Sequence, residues 1–364
     1  MHARPVAYSP SVEKPIEDEE QVHRELMDTM RSITETTSKD NGHAVRSVHA
    51  KAHGVFAGEL TVASGLPAEL AQGLFGAPAT FKVVMRLSTQ PGDLLDDSVS
   101  AARGMAVKVL DVPGERLPDS RDETSQNFVL ASDPAFAAPD AKKFLGSLKQ
   151  LAATTDKAEW AKKALSATFR GLEGALEAVG GQSAMLKSMS GVPITHPLGD
   201  SYHSQTAFRF GDYIAKFALV PVSDNLTQLK GERVDVTDRP DALREEIRNT
   251  MIEQGGEWEL RVQLCSDLEK MPVEDASVAW DEEASPYHTV ARITVAPQLS
   301  VGTELQTLTD ERTFFSPWHG LAAHQPLGSV NRARRRTYEM SADFRASFNG
   351  CPVHDAHAFM ATPA

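Results

Sequence analysis

Four residues near the C-terminus, Arg334, Tyr338, Ser341 and Arg345, stand at i, i+4, i+7 and i+11. In a helix that spacing puts them on one face. The stretch 331–345 contains neither Gly nor Pro and is rich in the helix formers Ala, Arg, Glu and Met, so it reads as a helix. The face is odd for a core stripe, because a phenol lies between guanidiniums. A guanidinium one turn from a tyrosine favours the phenolate by opposite charge. A phenolate with such a neighbour is suited to ligating ferric iron. Taken alone, the stretch also fits a solvated basic helix with Tyr338 as an amphipathic anchor.

What positions this helix is a chain of 364 residues with 41% hydrophobic content, enough for a sizeable core. Val22, Leu26, Met30 and Ile33 recur at helical spacing and predict a helix from Glu20 to about Ser38, after a Pro-containing arm. Strands are predicted at 46–51, 54–62, 81–88, 103–110 and 126–130. A helical insert follows from 139 to about 190, with Phe144, Leu148, Leu151, Trp160, Leu165, Phe169, Leu172 and Leu176 as its apolar stripes. Further strands are predicted at 204–210, 214–220, 258–264 and 289–295. A helix is expected from 238 to 254 with Pro240 in its first turn. Two groups of strands bracketing helices predict an α+β fold, an antiparallel β-barrel with appended helices. Three regions follow: an N-terminal arm and helix (1–40), a core (41–348) containing the insert 139–190, and a tail (349–364).

Composition excludes several functions. A net charge of −13 argues against non-specific nucleic-acid binding. Two distant cysteines, Cys265 and Cys351, support neither a disulfide framework nor a cysteine-based zinc site, and suit a reducing, cytoplasmic compartment. No secretory h-region and no long apolar run capable of spanning a bilayer is evident. The 12 histidines show no H-E-x-x-H spacing, and no glycine-rich nucleotide-binding signature appears.

Six segments in order carry a resemblance. Arg46-Ser-Val-His-Ala-Lys51, Arg86-Leu-Ser-Thr89, Arg103-Gly-Met-Ala-Val-Lys108, Glu274-Asp-Ala-Ser-Val-Ala-Trp-Asp-Glu-Glu283, Phe315-Ser-Pro317 and Arg334-x-x-x-Tyr338 with Arg345 resemble the conserved blocks of haem catalases. In length the chain is similar to the small catalase-related peroxidases. The resemblance implies a catalase-like barrel, a C-terminal proximal helix and haem b as cofactor. It implies Tyr338 as the axial iron ligand, with Arg334 keeping it ionised. It implies His49 as the distal acid–base group, Ser88 as the hydroxyl that orients it, and Val48 as a narrowing of the access route. Arg46, Arg86 and Arg345 would pair with the haem propionates. His53, on the same face of a regular strand as His49, is expected at the surface or in a channel.

One departure stands out. Catalases carry a distal asparagine in a segment resembled here by Leu130-Ala-Ser-Asp-Pro-Ala-Phe136. Anchored on Pro134, that position falls on Ala131 or Ser132, and Asn127 is too far upstream. Ser132 would replace the asparagine only partly, and alanine not at all. The resemblance therefore implies a haem peroxidase that uses hydrogen peroxide or an organic hydroperoxide with an organic electron donor, and has weak to modest catalase activity. An isomerase of fatty hydroperoxides like allene oxide synthase, or a haem sensor without turnover, are the alternatives. A monomer or homodimer is expected.

Overall fold

A computed structural model of the chain describes residues 4–120, 124–152 and 194–353. The strands are β1 Ala52–Val62, β2 Thr80–Thr89, β3 Arg103–Val109, β4 Gln126–Ala131, β5 Tyr202–His203, β6 Phe208–Phe210, β7 Tyr213–Pro221, β8 Gly256–Leu264 and β9 Tyr287–Val295. They form one antiparallel sheet in the order β5-β4-β3-β2-β1-β9-β8-β7-β6. Because β5 pairs with β7 as well as with β4, 8 strands close into a barrel and β6 remains an added partner of β7. Closure removes the exposed edges that would otherwise pair with other chains.

Side chains alternate across each strand. Val83, Met85 and Leu87 of β2, Met105 and Val107 of β3, and Phe128 and Leu130 of β4 belong to the interior cluster. That cluster also holds Phe56, Phe210, Phe217 and Trp258, all fully buried, so side chains fill the barrel. The residues between the inward ones on β2 to β4 face outward, and register aligns them in two rows. Ser88 lies opposite Gly104, and Gly104 opposite Ala131; Arg86 lies opposite Ala106, and Ala106 opposite Val129.

The helices are α1 Glu19–Asn41, α2 Ala141–Ala152, α3 Asp224–Thr227, α4 Ala242–Glu253, α5 Glu304–Arg312 and α6 Ser329–Asn349. Gly350, with φ +62, stops α6 in the left-handed conformation that favours glycine. Helices α1, α2 and α6 meet in a second cluster through Val22, Leu26, Met30, Ala141, Leu145 and Ala333. Arg332 fastens α6 to the rest. It lies 2.7 Å from Glu13 of the arm, 2.7 Å from Glu19 of α1 and 2.9 Å from Glu274 of the β8–β9 connection. Among the described residues no helix is long and apolar enough to cross a membrane.

Several expectations need correction. Segment 46–51 is not a strand: β1 begins at Ala52, and His49 has φ +56. The segment is held by loop hydrogen bonds, His49 N–H to Gln90 O at 2.8 Å and Ala50 N–H to Pro91 O at 3.1 Å. His53 is fully buried in β1 rather than exposed, with Nε2 3.1 Å from Thr89 Oγ1 and Nδ1 3.9 Å from Asp97 Oδ1. Of the strand expected at 204–210 only β6, Phe208–Phe210, forms, because Gln205 has φ +62 and Ser204 and Thr206 exchange side-chain-to-carbonyl hydrogen bonds. Pro240 precedes α4 instead of lying in its first turn; its carbonyl accepts from Lys51 Nζ at 2.7 Å. The helical insert is observed as α2, and its continuation from 153 to 190 lies outside the described residues, as does the tail from 354. Helix α5 was not expected, since its sequence is largely polar and lacks an apolar stripe.

The interior contains a histidine that bears on stability. His324 is fully buried among Phe75, Phe210 and Phe217. Its Nε2 accepts the Leu74 N–H at 3.0 Å, which requires the neutral ring. Burial lowers its pKa to about 3. The unfolded chain binds a proton below about pH 6.5 that the folded chain refuses, so this residue erodes stability as pH falls from about 6.5 towards 3. His324→Gln should lower stability at pH 7 but flatten its fall between pH 6.5 and 4 by about 1.4 kcal/mol per pH unit. Urea melts across that range check this; an unchanged slope would show that His324 titrates normally in the folded protein.

Candidate active site

The two outward rows on β2 to β4 form one wall of a slot, and α6 supplies another. The slot consists of two adjoining cavities, of about 90 Å³ and about 370 Å³. Val48, His49, Leu130, Thr337 and Tyr338 line both, so His49 and Tyr338 enter where the cavities meet, from different walls. Small residues keep the sheet wall low there: Gly104 and Ala106 line the smaller cavity, Ala131 the larger.

His49 is held at three points. Its imidazole rests on Gly104, where a Cβ would stand 2.5 Å from His49 Cε1. Its Nδ1 is 3.1 Å from Ser88 Oγ. Its carbonyl accepts from Arg86 Nη1 at 2.9 Å, and the next carbonyl, of Ala50, accepts from Arg86 Nη2 at 3.0 Å. The Ser88 hydroxyl donates its single hydrogen to Gly104 O at 3.4 Å, so its oxygen accepts from His49 Nδ1–H. That assigns the tautomer and leaves Nε2 with a free lone pair. Burial, then the charges of Arg86, Arg334 and Arg46, lower the His49 pKa to about 3, so the ring is neutral at physiological pH.

The smaller cavity ends in three guanidiniums. Arg46, Arg86 and Arg345 line it and converge on the C-terminal turn of α5. Arg86 Nε donates to Asp310 Oδ1 at 2.8 Å and Arg46 Nη1 to the same oxygen at 3.1 Å. Arg345 Nη1 donates to Asp310 O at 2.7 Å, and Arg46 Nη2 to Thr309 O at 2.6 Å. Two carboxylates, Asp310 in contact and Glu311 acting through its charge, do not neutralise three cations. Burial and the neighbouring guanidiniums lower Arg345 to about 10 and hold Arg46 well below its usual range. Arg345 Nε is buried without a hydrogen-bond partner. This end is short of anionic charge and has a donor to spare.

The larger cavity is apolar at its far end, with Leu26, Phe136, Ala137, Ala141, Phe144 and Val330 in its walls. A slot cationic at one end and apolar at the other suits an amphiphile that carries carboxylates at one end. Tyr338 is half-buried, and its hydroxyl has no hydrogen-bond partner among the described residues. Arg334 donates instead to Asn331 Oδ1 at 3.2 Å and Thr206 Oγ1 at 3.4 Å, and lies 5.6 Å from the Phe136 ring centroid. Among the described residues no cluster of three His, Cys, Asp or Glu could hold a metal.

Of the residues expected from sequence, Arg46, Val48, His49, Arg86, Ser88, Arg334, Tyr338 and Arg345 all line the slot. Ser132 does not. Its hydroxyl accepts the Arg103 N–H at 3.3 Å and its own N–H donates to Arg103 O at 2.9 Å, while Ala131 faces the larger cavity. Asn127 is buried outside both linings. Met30 and Leu26 of α1, Gly104 and Asp310 were not foreseen. Glycine inside a β-run was a usable signal for close approach at Gly104; nothing local marks Asp310. Gly104→Ala should leave the fold within about 1–3 kcal/mol of the original. It should displace the imidazole, costing up to about 100-fold in any reaction that uses it. Activity unchanged by this substitution would show that His49 does not depend on the contact.

No protein-family model matches the chain, and no curated protein matches it. Solved structures do. A fungal catalase aligns at 15% identity and TM-score 0.56, covering 85% of this chain and 61% of its own. Catalase A from Saccharomyces cerevisiae aligns at 17% identity and TM-score 0.55, covering 87% and 65%. The chain thus spans under two thirds of the length of these structures. The backbone likeness and the closed 8-strand antiparallel barrel together give this chain a catalase-like fold.

Proposed function

We propose that the chain is a haem-dependent oxidoreductase acting on peroxides, a peroxidase with weak or modest catalase activity. The observation that carries this reading is the amphiphilic slot, with a hydroxyl-oriented, neutral His49 on one wall and, on another, a phenol with no hydrogen-bond partner among the described residues. Arg46, Arg86 and Arg345 would hold the haem carboxylates, Leu26, Phe136 and Phe144 would pack its apolar edge, and Tyr338 would ligate the iron. Bound haem would supply the electrons that split the peroxide O–O bond, and an organic donor would restore them.

The chain's own part is proton movement. His49 Nε2 takes the proton from one peroxide oxygen and delivers it to the other, which leaves as water or alcohol. Ser88 and Gly104 keep the ring at the angle that makes both transfers short. The neutral imidazole has a lone pair to take the first proton, and its lowered pKa means that, once protonated in its buried place beside the guanidiniums, it gives the proton up readily. Arg334, one turn before Tyr338 on α6, donates its hydrogen bonds only to neutral groups.

Ala131 at the cavity wall decides between the two peroxide reactions. Disproportionation needs a second peroxide to be held and oriented, and a methyl group offers no hydrogen bond for that. Oxidation of an organic donor has no such requirement. Ala131→Asn should therefore raise oxygen release from hydrogen peroxide by about tenfold or more, the worth of one good polar contact, and raise donor oxidation less. Oxygen-electrode and donor-oxidation rates at matched haem content check this. Wild-type oxygen release near the ceiling of about 10⁸ per molar per second would refute the peroxidase assignment. Products from a fatty hydroperoxide without reductant distinguish the isomerase alternative.

The haem assignment is checked by Tyr338→Phe and His49→Ala. Tyr338→Phe should abolish the ferric phenolate spectrum and weaken haem retention. His49→Ala should keep haem but slow the reaction with peroxide by about 10²–10⁴-fold. An unchanged spectrum in the first, or an unchanged rate in the second, removes that residue from its role.

A further inference from the structure

We propose that Asp310, in the last turn of α5, is a positioning residue for His49, acting through Arg86. The proposal rests on the haem-peroxidase reading for its catalytic meaning, but its geometry does not. A histidine at φ +56 is in a conformation that L side chains rarely adopt, and such a residue persists only when its surroundings over-determine it. Here both peptide groups that flank His49 are pinned. Their N–H groups, of His49 and Ala50, donate to Gln90 O and Pro91 O. The carbonyls of the same two residues accept from the two Nη atoms of Arg86. A guanidinium is rigid and planar, so its remaining edge fixes where those two donors point. That edge, Nε, is bound to Asp310 Oδ1 at 2.8 Å across 224 residues of sequence.

Asp310 is itself held for this task. Gln306 Nε2 reaches its other oxygen at 3.4 Å, and Arg46 shares Oδ1 at 3.1 Å. The carbonyls of Thr309, Asp310 and Thr313 take the outer donors of Arg46 and Arg345, so the repelling cations lean on the α5 terminus and not on each other. All three of Arg86's nitrogens are thus directed at protein groups. Arg86 serves first as a clamp on the His49 turn, and Arg345, with its orphaned Nε, is the freer donor for an incoming carboxylate. One guanidinium joins the anion-binding end of the slot to the backbone that aims the imidazole.

The test is the ¹⁵N spectrum of the His49 ring in the full-length protein, alone and with iron-free protoporphyrin, the signals being assigned by His49→Gln. In the wild type Nδ1–H is hydrogen-bonded to Ser88, and Ser88→Ala supplies the signature of losing that bond. Asp310→Asn keeps an oxygen for Arg86 but removes the charge; it should move the His49 nitrogens towards the Ser88→Ala positions. Asp310→Glu keeps the charge and should shift them less in the same direction, and it decides the matter if Asp310→Asn does not fold. His49 signals at wild-type positions in a folded Asp310 variant overturn the proposal, and then Asp310 serves only the cationic end. Porphyrin binding by the wild type, followed by fluorescence, tests the haem reading separately. Failure to bind with the His49 shift intact would overturn that reading and leave the coupling standing.

Discussion

A barrel whose interior is filled with side chains cannot hold a flat ligand, and this constraint governs the rest of the molecule. Phe56, Phe128, Phe217 and Trp258 occupy the space that a larger barrel would leave open. Any site must be built on the outside, where a second layer covers the sheet. Strands β2 to β4 meet that demand with short outward residues, Gly104, Ala106 and Ala131, between the longer Arg86 and Ser88. Helices α1, α2 and α6 cover this face, and Arg332 with its three carboxylates pins the cover in place. The slot is the gap between the layers.

The electrostatics of the slot follow from burying more cations than anions. Burial pushes the Asp310 carboxyl up, but Arg86 and Arg46 hold it below its usual range, so it stays charged. Even so, the cluster lacks negative charge, and buried unpaired charge is costly. A carboxylate ligand relieves this. Burial, together with the same excess, keeps His49 deprotonated. An apolar far end, walled by Leu26 and Phe144, sets the direction in which an amphiphile can lie.

Much of this was legible in the sequence, for identifiable reasons. Helix α6 was clear because its formers are strong and its spacing periodic, and the face carrying Arg334, Tyr338, Ser341 and Arg345 does border the slot. Arg86 and Ser88, singled out by the resemblance, lie on one face because β2 is regular and side chains alternate along it. Segment 46–51 was misread as a strand because its alternation is genuine in sequence, whereas its geometry is set by the carbonyls of Gln90 and Pro91 and the guanidinium of Arg86. Helix α5 escaped notice because a polar helix that contributes carbonyls rather than an apolar stripe leaves no periodic trace.

The sequence by itself determined which chemical groups are present, in what order, and on which regular elements: a phenol on a helix, guanidiniums on a strand and a helix. Those follow from local propensity and periodicity, which act over a few residues. Only the tertiary structure decided that His49 turns through a left-handed residue onto Gly104, that Ala131 and not Ser132 faces the cavity, and that Asp310 gathers three arginines. Each depends on hydrogen bonds or packing between segments far apart in the chain. Such contacts exist only once the barrel closes and the helices cover it, so no local pattern records them.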